Sequence, residues 1–152
     1  MALEFSTIGV KLKYKVEASA GSFPTSGYTE IPDITSVPEI AMTPNNLECT
    51  NLSDEYERFV PGVKRIGNNF QFGANLTSNL ESTWNTMCTA AASAWASGKS
   101  TWFEIVVPNF KSFYFACVPI ELGTSAMNVD SVIGATLNVT PNQIKGWATS
   151  SN

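Results

Sequence analysis

Few side chains in this sequence could carry out chemistry, and none of them is a histidine. The lack of histidine excludes Ser-His-Asp and Cys-His nucleophilic schemes and nearly all ordinary zinc or iron sites. Neither of the common glycine-rich phosphate loops occurs. Carboxylates are grouped at Asp54, Glu55 and Glu57, but a glycosidase pair would face each other across a cleft rather than share one charged loop. We therefore predict a solvated acidic segment, no enzymatic activity, and no metal or cofactor.

Three cysteines, Cys49, Cys88 and Cys117, are widely spaced along the chain. Their odd number and their spacing argue against a disulfide framework and against a metal site. The sequence predicts that all three are buried thiols in a reducing compartment.

The surface is expected to carry little charge, because charged residues make up only 14% of the chain, against about 25% in most soluble domains. This favours a surface that is partly covered by a partner or by further copies, although a Ser/Thr/Asn-rich monomer has the same composition. The net charge of −4 argues against nucleic-acid binding by charge attraction. No membrane span and no signal peptide are expected.

The hydrophobic pattern predicts a mainly β chain with a single helix. Strands are predicted at 8–16, 28–34, 47–52, 69–76, 101–107, 111–122 and 131–140. In the first of these, apolar residues alternate with Lys11, Lys13 and Lys15, which is typical of a strand with one buried and one wet face. The order of these elements predicts an antiparallel sheet or barrel with a helix packed on it.

The helix is predicted to run from Ser78 to Ala96. Ser78 and Glu81 fit a capping box at its start, and Gly98 fits a C-terminal cap. Between them, one apolar stripe is formed by Leu80, Trp84, Met87, Cys88, Ala91 and Trp95.

A single domain is expected over residues 1–152, with three extensions from the sheet. These are an N-terminal arm (1–7), an extended inter-strand loop (53–67) and a polar C-terminal tail (141–152). The loop is closed by the turn dipeptide Pro61-Gly62. Its charged and apolar side chains equip it either to dock a neighbour or to fold back onto its own core. The interface candidates are Asp54, Glu55, Tyr56, Glu57, Arg58, Phe59, Val60, Lys64 and Arg65.

Four short segments carry a resemblance to a known family. They are Ile31-Pro32-Asp33-Ile34, Leu47-Glu48-Cys49-Thr50-Asn51-Leu52-Ser53-Asp54, Val60-Pro61-Gly62-Val63-Lys64 and Phe70-Gln71-Phe72. Together with the helix and the closing strands, they resemble the major tail tube proteins of long-tailed, non-contractile phages, although Asn51 stands where threonine is usual. The resemblance implies an antiparallel β-sandwich or barrel flanked by one helix, a fold shared with type VI secretion tube proteins.

The same resemblance implies a structural virion protein whose hexameric rings stack into a hollow tail tube. DNA would pass through the lumen without specific binding. The implied partners are further copies of the chain, a tape measure protein, a tail terminator and distal tail or baseplate proteins. The protein would be found in the virion, and in the host cytoplasm before assembly.

The resemblance also suggests which parts of the chain meet in such a tube. The loop from Ser53 to Arg65 would reach the adjacent ring, with Arg58, Lys64 and Arg65 as charge partners. The lysines of the first strand are expected at a subunit contact or on the outer surface, because a basic bore would grip DNA. Unpaired edges of an open sheet would be joined around the closed ring.

Two alternatives remain open from the sequence. One is a monomeric β-sandwich module that binds carbohydrate or another ligand by stacking on Trp102, Tyr114 or Trp147. For Trp102 and Tyr114, which fall inside predicted strands, core packing is the better interpretation. The other alternative is a different tail component that has the same fold.

Overall fold

The computed structural model describes residues 4, 6–65, 70–124 and 126–150. They form one α-helix, α1 (Ser78–Ala96), and ten strands: β1 (Lys11–Val16), β2 (Thr29–Ile31), β3 (Ile34–Ser36), β4 (Thr43–Glu48), β5 (Phe59–Arg65), β6 (Phe70–Asn75), β7 (Thr101–Val106), β8 (Ser112–Pro119), β9 (Gly123–Thr124) and β10 (Gly134–Ala148). All strand pairings are antiparallel. The predicted fold class, mainly β with a single helix, is confirmed. Residues 1–3 and 5 of the predicted arm, and 66, 67 and 69 of the predicted loop and strand, lie outside the described residues.

The chain forms two compact units. The sheet unit comprises Met1–Pro38 and Asn69–Asn152, and the hairpin unit comprises Glu39–Asn68. This division was not predicted, because no shift in composition marks the boundary after Pro38.

The sheet unit contains an eight-stranded sheet in the order β2-β1-β7-β8-β10-β6-β3, with β9 also paired to β10. The two border strands, β2 and β3, are three residues each and are consecutive in sequence, joined by Pro32 and Asp33. Asp33 takes a left-handed conformation in this turn, with φ +63°. The unpaired edges expected from the sequence are therefore limited in this sheet to two three-residue strands that meet at one tight turn.

Aromatic side chains fill the main core. Phe115 of β8 stacks on Phe103 at 5.5 Å between centroids and meets Phe70 edge-on at 5.2 Å. Both faces of β7 and β8 are buried, so these strands show continuous apolar runs rather than alternation. Helix α1 packs on this sheet through Trp84, whose Nε1 donates to the Ile120 carbonyl at 2.8 Å.

The predicted bounds of the helix are confirmed, but its predicted cap is wrong. The N-cap is Thr77, whose Oγ1 accepts from the Leu80 amide at 3.1 Å. Thr77 also donates to Asp33 Oδ2 at 2.6 Å, and this bond to the β2–β3 turn explains why the helix is capped one residue early. Gly98 ends the helix with φ +75°, as predicted, whereas Trp95 is 57% exposed and lies off the buried stripe.

A second, smaller cluster lies on the opposite face of β7 and β8. Trp102 and Tyr114 are buried there and are covered by Phe23 at 4.8 and 5.2 Å between ring centroids. Two buried carboxylates accept from these aromatic side chains: Glu17 Oε1 from Trp102 Nε1 at 3.1 Å, and Glu104 Oε2 from the Tyr114 hydroxyl at 2.9 Å. The prediction that Trp102 and Tyr114 are core residues is confirmed.

The predicted C-terminal tail is wrong over residues 141–148, which belong to β10 and pair with β8 as far as Ala148 opposite Ser112. Register shifts at Pro141 and Gly146, the latter with φ +90°, interrupt the alternation of apolar and polar residues in this part of the strand. The sequence therefore showed no strand pattern there, although the backbone continues to pair.

Candidate functional site

The predicted interface segment lies in the hairpin unit, where β4 and β5 form a two-stranded antiparallel sheet with Leu47 opposite Val60 and Glu48 opposite Phe59. Every residue of β4 is exposed. The predicted strand at 47–52 is thus shifted to 43–48, and the predicted loop at 53–67 is replaced by a connection at 49–58 followed by β5.

Pro61 and Gly62 lie inside β5 rather than in the predicted turn. A Cβ at Gly62 would come within 2.6 Å of the Asn45 carbonyl oxygen, so the close approach of the two strands requires glycine. The register shifts between Pro44 and Asn46, on the facing strand. Proline is tolerated here because both strands of a two-stranded sheet are edge strands.

The connection between β4 and β5 is held by its own hydrogen bonds. Asp54 Oδ2 accepts from the Asn51 amide at 2.9 Å and from Arg58 Nε at 2.8 Å. Thr50 Oγ1 accepts from the Arg58 amide at 2.9 Å, and Asn51 Oδ1 accepts from the Ser53 amide at 3.0 Å. The connection is therefore ordered before any partner binds, which lowers the entropic cost of docking.

The charged candidates fall into two groups. Asp54 and Arg58 pair with each other within the chain, so Arg58 already has a partner for its charge. Glu55 and Glu57 are exposed in the connection, and Lys64 is exposed in β5. Arg65 ends β5, and its side chain lies outside the described residues.

The apolar candidates Tyr56, Phe59 and Val60 are all exposed, Tyr56 by 80%. Four further large apolar residues of the hairpin unit are exposed and were not predicted as interface residues: Met42, Leu47, the fully exposed Leu52, and Val63 of β5. Leu52 was predicted to lie at the end of a strand. The turn-forming residues around it, Asn51, Ser53 and Asp54, instead indicate that it lies in a turn.

No group of three His, Cys, Asp or Glu side chains in the described ranges comes close enough to hold a metal ion. Of the three cysteines, Cys117 is buried, Cys88 is partly buried and Cys49 is exposed. The prediction of buried thiols is therefore confirmed for Cys117 and wrong for Cys49, which is the first residue of the exposed connection. Burial raises the pKa of the Cys117 thiol, and Cys88 adds to the shift.

Among the described residues, no helix has both the length and the apolar character needed to cross a membrane.

The three lysines of β1 share the sheet face that carries Trp102 and Glu104. Lys13 lies directly between Glu30 of β2 and Glu104 of β7 in the strand register. Lys11 Nζ is 4.0 Å from Glu30 Oε2, and Lys15 Nζ donates to the Ser26 carbonyl at 2.8 Å. Groups of the same chain thus offset much of the lysines' charge, and this face is less basic than the sequence suggests.

The aromatic side chains proposed for ligand stacking do not form a stacking platform. Trp102 and Tyr114 are buried, and Trp147 is 43% exposed but packs on Phe110 and Phe113 at 5.3 and 5.4 Å between centroids. This arrangement does not favour a carbohydrate-binding module.

No protein-family model matches the sequence, and no curated protein matches it. The fold, however, is similar to that of chains in three solved structures. A chain of the tail of an empty GTA particle, refined with helical and C6 symmetry, matches with TM-score 0.60 and 9% identity over 96% of this chain and 98% of that chain. A chain of the anti-feeding prophage baseplate, 6-fold symmetrised, matches with TM-score 0.59 and 9% identity over 95% and 96%. A chain of the PVC sheath-tube complex of an extracellular contractile injection system matches with TM-score 0.55 and 10% identity over 93% and 91%. The chain therefore has a fold found in tail and injection-system structures.

Proposed function

We propose that this protein is a structural subunit of a phage tail, and specifically the major tail tube protein of a long-tailed, non-contractile phage. In this role, copies assemble into stacked, hexameric rings around a hollow conduit for DNA. The observation that carries the proposal is the likeness in fold to tail and injection-system chains, which spans 93% or more of this chain and 91% or more of each of the three neighbours. Two of these neighbours come from structures described with sixfold symmetry.

The hairpin unit supports the proposal because it carries several exposed apolar side chains. Tyr56, Phe59 and Val63 are exposed there, together with the acids Glu55 and Glu57. Exposed apolar groups on a preformed hairpin are typical of an interaction surface. We assign this surface to the contact between one ring and the next.

The low charge and the acidic balance of the chain are consistent with this role. A subunit whose sides and ends are covered by other copies needs few surface charges. Acidic groups facing the lumen would repel DNA phosphates and let the genome pass without adhering. The same role implies contacts with a tape measure protein, a tail terminator and distal tail or baseplate proteins, and a location in the virion after assembly in the host cytoplasm.

Negative-stain electron microscopy of the purified, concentrated protein tests the proposal. Rings or uniform hollow tubes are expected, and a protein that stays monomeric at the highest attainable concentration would overturn it.

A matched variant tests the role of the hairpin unit. Residues 50–57 are replaced by Asn-Gly, which joins Cys49 to Arg58 in a two-residue turn and keeps β4 and β5 paired. The backbone bond from the Cys49 amide to the Arg58 carbonyl, at 2.9 Å, makes these two residues suitable flanks for the new turn. The variant should keep its circular dichroism spectrum and lose stacking. Tubes of normal length from this variant would show that the connection is not part of the contact.

A further inference from the structure

A second exposed apolar patch lies at one end of the eight-stranded sheet, where β7 and β10 end and β8 begins. We call it the Trp147 patch, and its members are Ile8, Pro108, Phe110 and Trp147. Trp147 and Phe110 are 43% and 47% exposed, with ring centroids 5.3 Å apart. Ile8 is 84% exposed and precedes Gly9, which lies so close to Pro108 that an added Cβ would be 3.1 Å from Pro108 Cγ.

The Trp147 patch is supported by the core of the sheet unit, as is typical of a binding site. Trp147 packs on the buried Phe113, with 5.4 Å between the ring centroids. Large aromatic side chains that pack on the core with one side and expose the other are common hot spots of protein interfaces, because they lose little side-chain entropy when a partner covers them.

The charges around the patch are basic. Lys111 is exposed and follows Phe110 directly. In a chain with a net charge of −4, an apolar patch with an exposed lysine beside it selects an acidic, apolar partner.

The end of the hairpin unit has the opposite charge and a similar apolar character. We call it the hairpin tip, and its members are Leu52, Glu55, Tyr56 and Glu57. Because Arg58 is paired with Asp54, the two exposed glutamates give the tip a net negative charge. Leu52 and Tyr56 supply apolar surface, and the connection that carries them is ordered by its own hydrogen bonds.

We propose that the Trp147 patch of one copy receives the hairpin tip of another copy. Leu52 and Tyr56 would cover Trp147 and Phe110, and the glutamates would lie beside Lys111. The inference rests on the proposed tail function and extends it by naming the surface that accepts the hairpin. A contact between two different surfaces of the same chain propagates from copy to copy instead of closing a pair, which suits a stack of rings.

A charge-reversal set tests the contact. Lys111→Glu alone should raise the protein concentration needed for tube formation by roughly three- to tenfold, since it places like charges together. Lys111→Glu combined with Glu55→Lys and Glu57→Lys should restore assembly to within about twofold of the natural protein, because every contact again joins opposite charges. The matched control combines Lys111→Glu with Glu81→Lys and Glu121→Lys, which gives the same net charge and should stay weakened. The thermal midpoint of each variant shows whether its fold is intact.

Two outcomes of this experiment overturn the inference and leave the proposed function intact. One is that Lys111→Glu forms tubes as readily as the natural protein, and the other is that the control set restores assembly as completely as the tip set. A photo-cross-linker placed at Tyr56, in tubes grown from mixed isotope-labelled and unlabelled protein, gives a second readout. It should join Tyr56 of one copy to the segment 108–111 or to Trp147 of another, and cross-links elsewhere, or only within one copy, would contradict the contact. If the natural protein forms no assembly at all, the proposed function fails and this contact fails with it.

Discussion

Replacing Leu52 by serine is expected to weaken assembly while leaving the monomer intact. Leu52 is fully exposed, so its side chain contributes no buried apolar surface to the fold. The turn around it depends on Asn51, Ser53 and Asp54, whose hydrogen bonds do not involve the Leu52 side chain. The free energy of unfolding should therefore change by less than about 0.5 kcal/mol.

The effect on assembly follows from the surface that Leu52 would bury in a contact. Covering a leucine side chain completely is worth about 1.5–3 kcal/mol, and fixing its rotamer costs about 0.5–1 kcal/mol. The net gain of about 1–2 kcal/mol corresponds to a roughly fivefold to thirtyfold change in the protein concentration required for tubes to form.

Pelleting assays over a range of protein concentrations, with electron microscopy of the pellets, measure this threshold. Leu52→Met is the matched control, because methionine keeps a similar apolar surface at the same position and should assemble within about twofold of the natural protein. An unchanged threshold for Leu52→Ser, with tubes of normal appearance, would refute the burial of this residue at a contact.

Three further predictions concern the fold. Trp84→Phe should lower the free energy of unfolding by about 2–3 kcal/mol. It leaves a cavity, and the Ile120 carbonyl keeps only the weak donor Cys88 Sγ at 3.5 Å. Trp95→Phe on the same helix should change the free energy of unfolding by less than about 0.5 kcal/mol in urea titrations. The free energy of unfolding should fall as the pH rises past 9.0, the ordinary pKa of a thiol. In this range Cys117 ionises in the unfolded chain, whereas its raised pKa keeps the thiol neutral in the folded protein. Cys117→Ala should reduce this dependence of stability on pH. With a thiol reagent, Cys49 should react within the native protein and Cys117 only on unfolding, and equal rates would contradict their assigned exposures.

The elements that the sequence predicted well are those whose pattern and packing agree. Helix α1 has the predicted bounds because its apolar stripe, its alanines and Gly98 all specify the same segment. Strand β6 was recognised from the alternation of Phe70, Phe72 and Ala74, and these three side chains are buried. In both cases one face is apolar and the other is polar, which is the signal that periodicity detects.

The misassigned elements have tertiary causes that no local pattern contains. The second half of β10 pairs through two bulges, and Thr77 replaces Ser78 as the helix cap because Asp33 lies within reach. Pro61-Gly62, a turn signal in isolation, is accommodated within β5 because the facing strand shifts its register. Each of these outcomes depends on a partner that is distant in sequence.

The candidate site was predicted in part. The exposure of Tyr56, Phe59 and Val60 agrees with the sequence analysis, but the pairing of Arg58 with Asp54 and the shape of the connection required the structure. The Trp147 patch was not predicted at all. Its members come from three separate parts of the chain, and Trp147 had been assigned to a tail.

The short borders of the large sheet and the prolines of the small one have a consequence for the kind of polymer this chain forms. Strands β2 and β3 offer three residues each, and Pro44 and Pro61 each remove a backbone donor from β4 and β5. Amyloid growth needs long, uninterrupted backbone ladders, which these strands do not supply. Polymers of the native chain should therefore be held by side chains, bind no amyloid dye such as thioflavin T, and give back folded monomer on dilution.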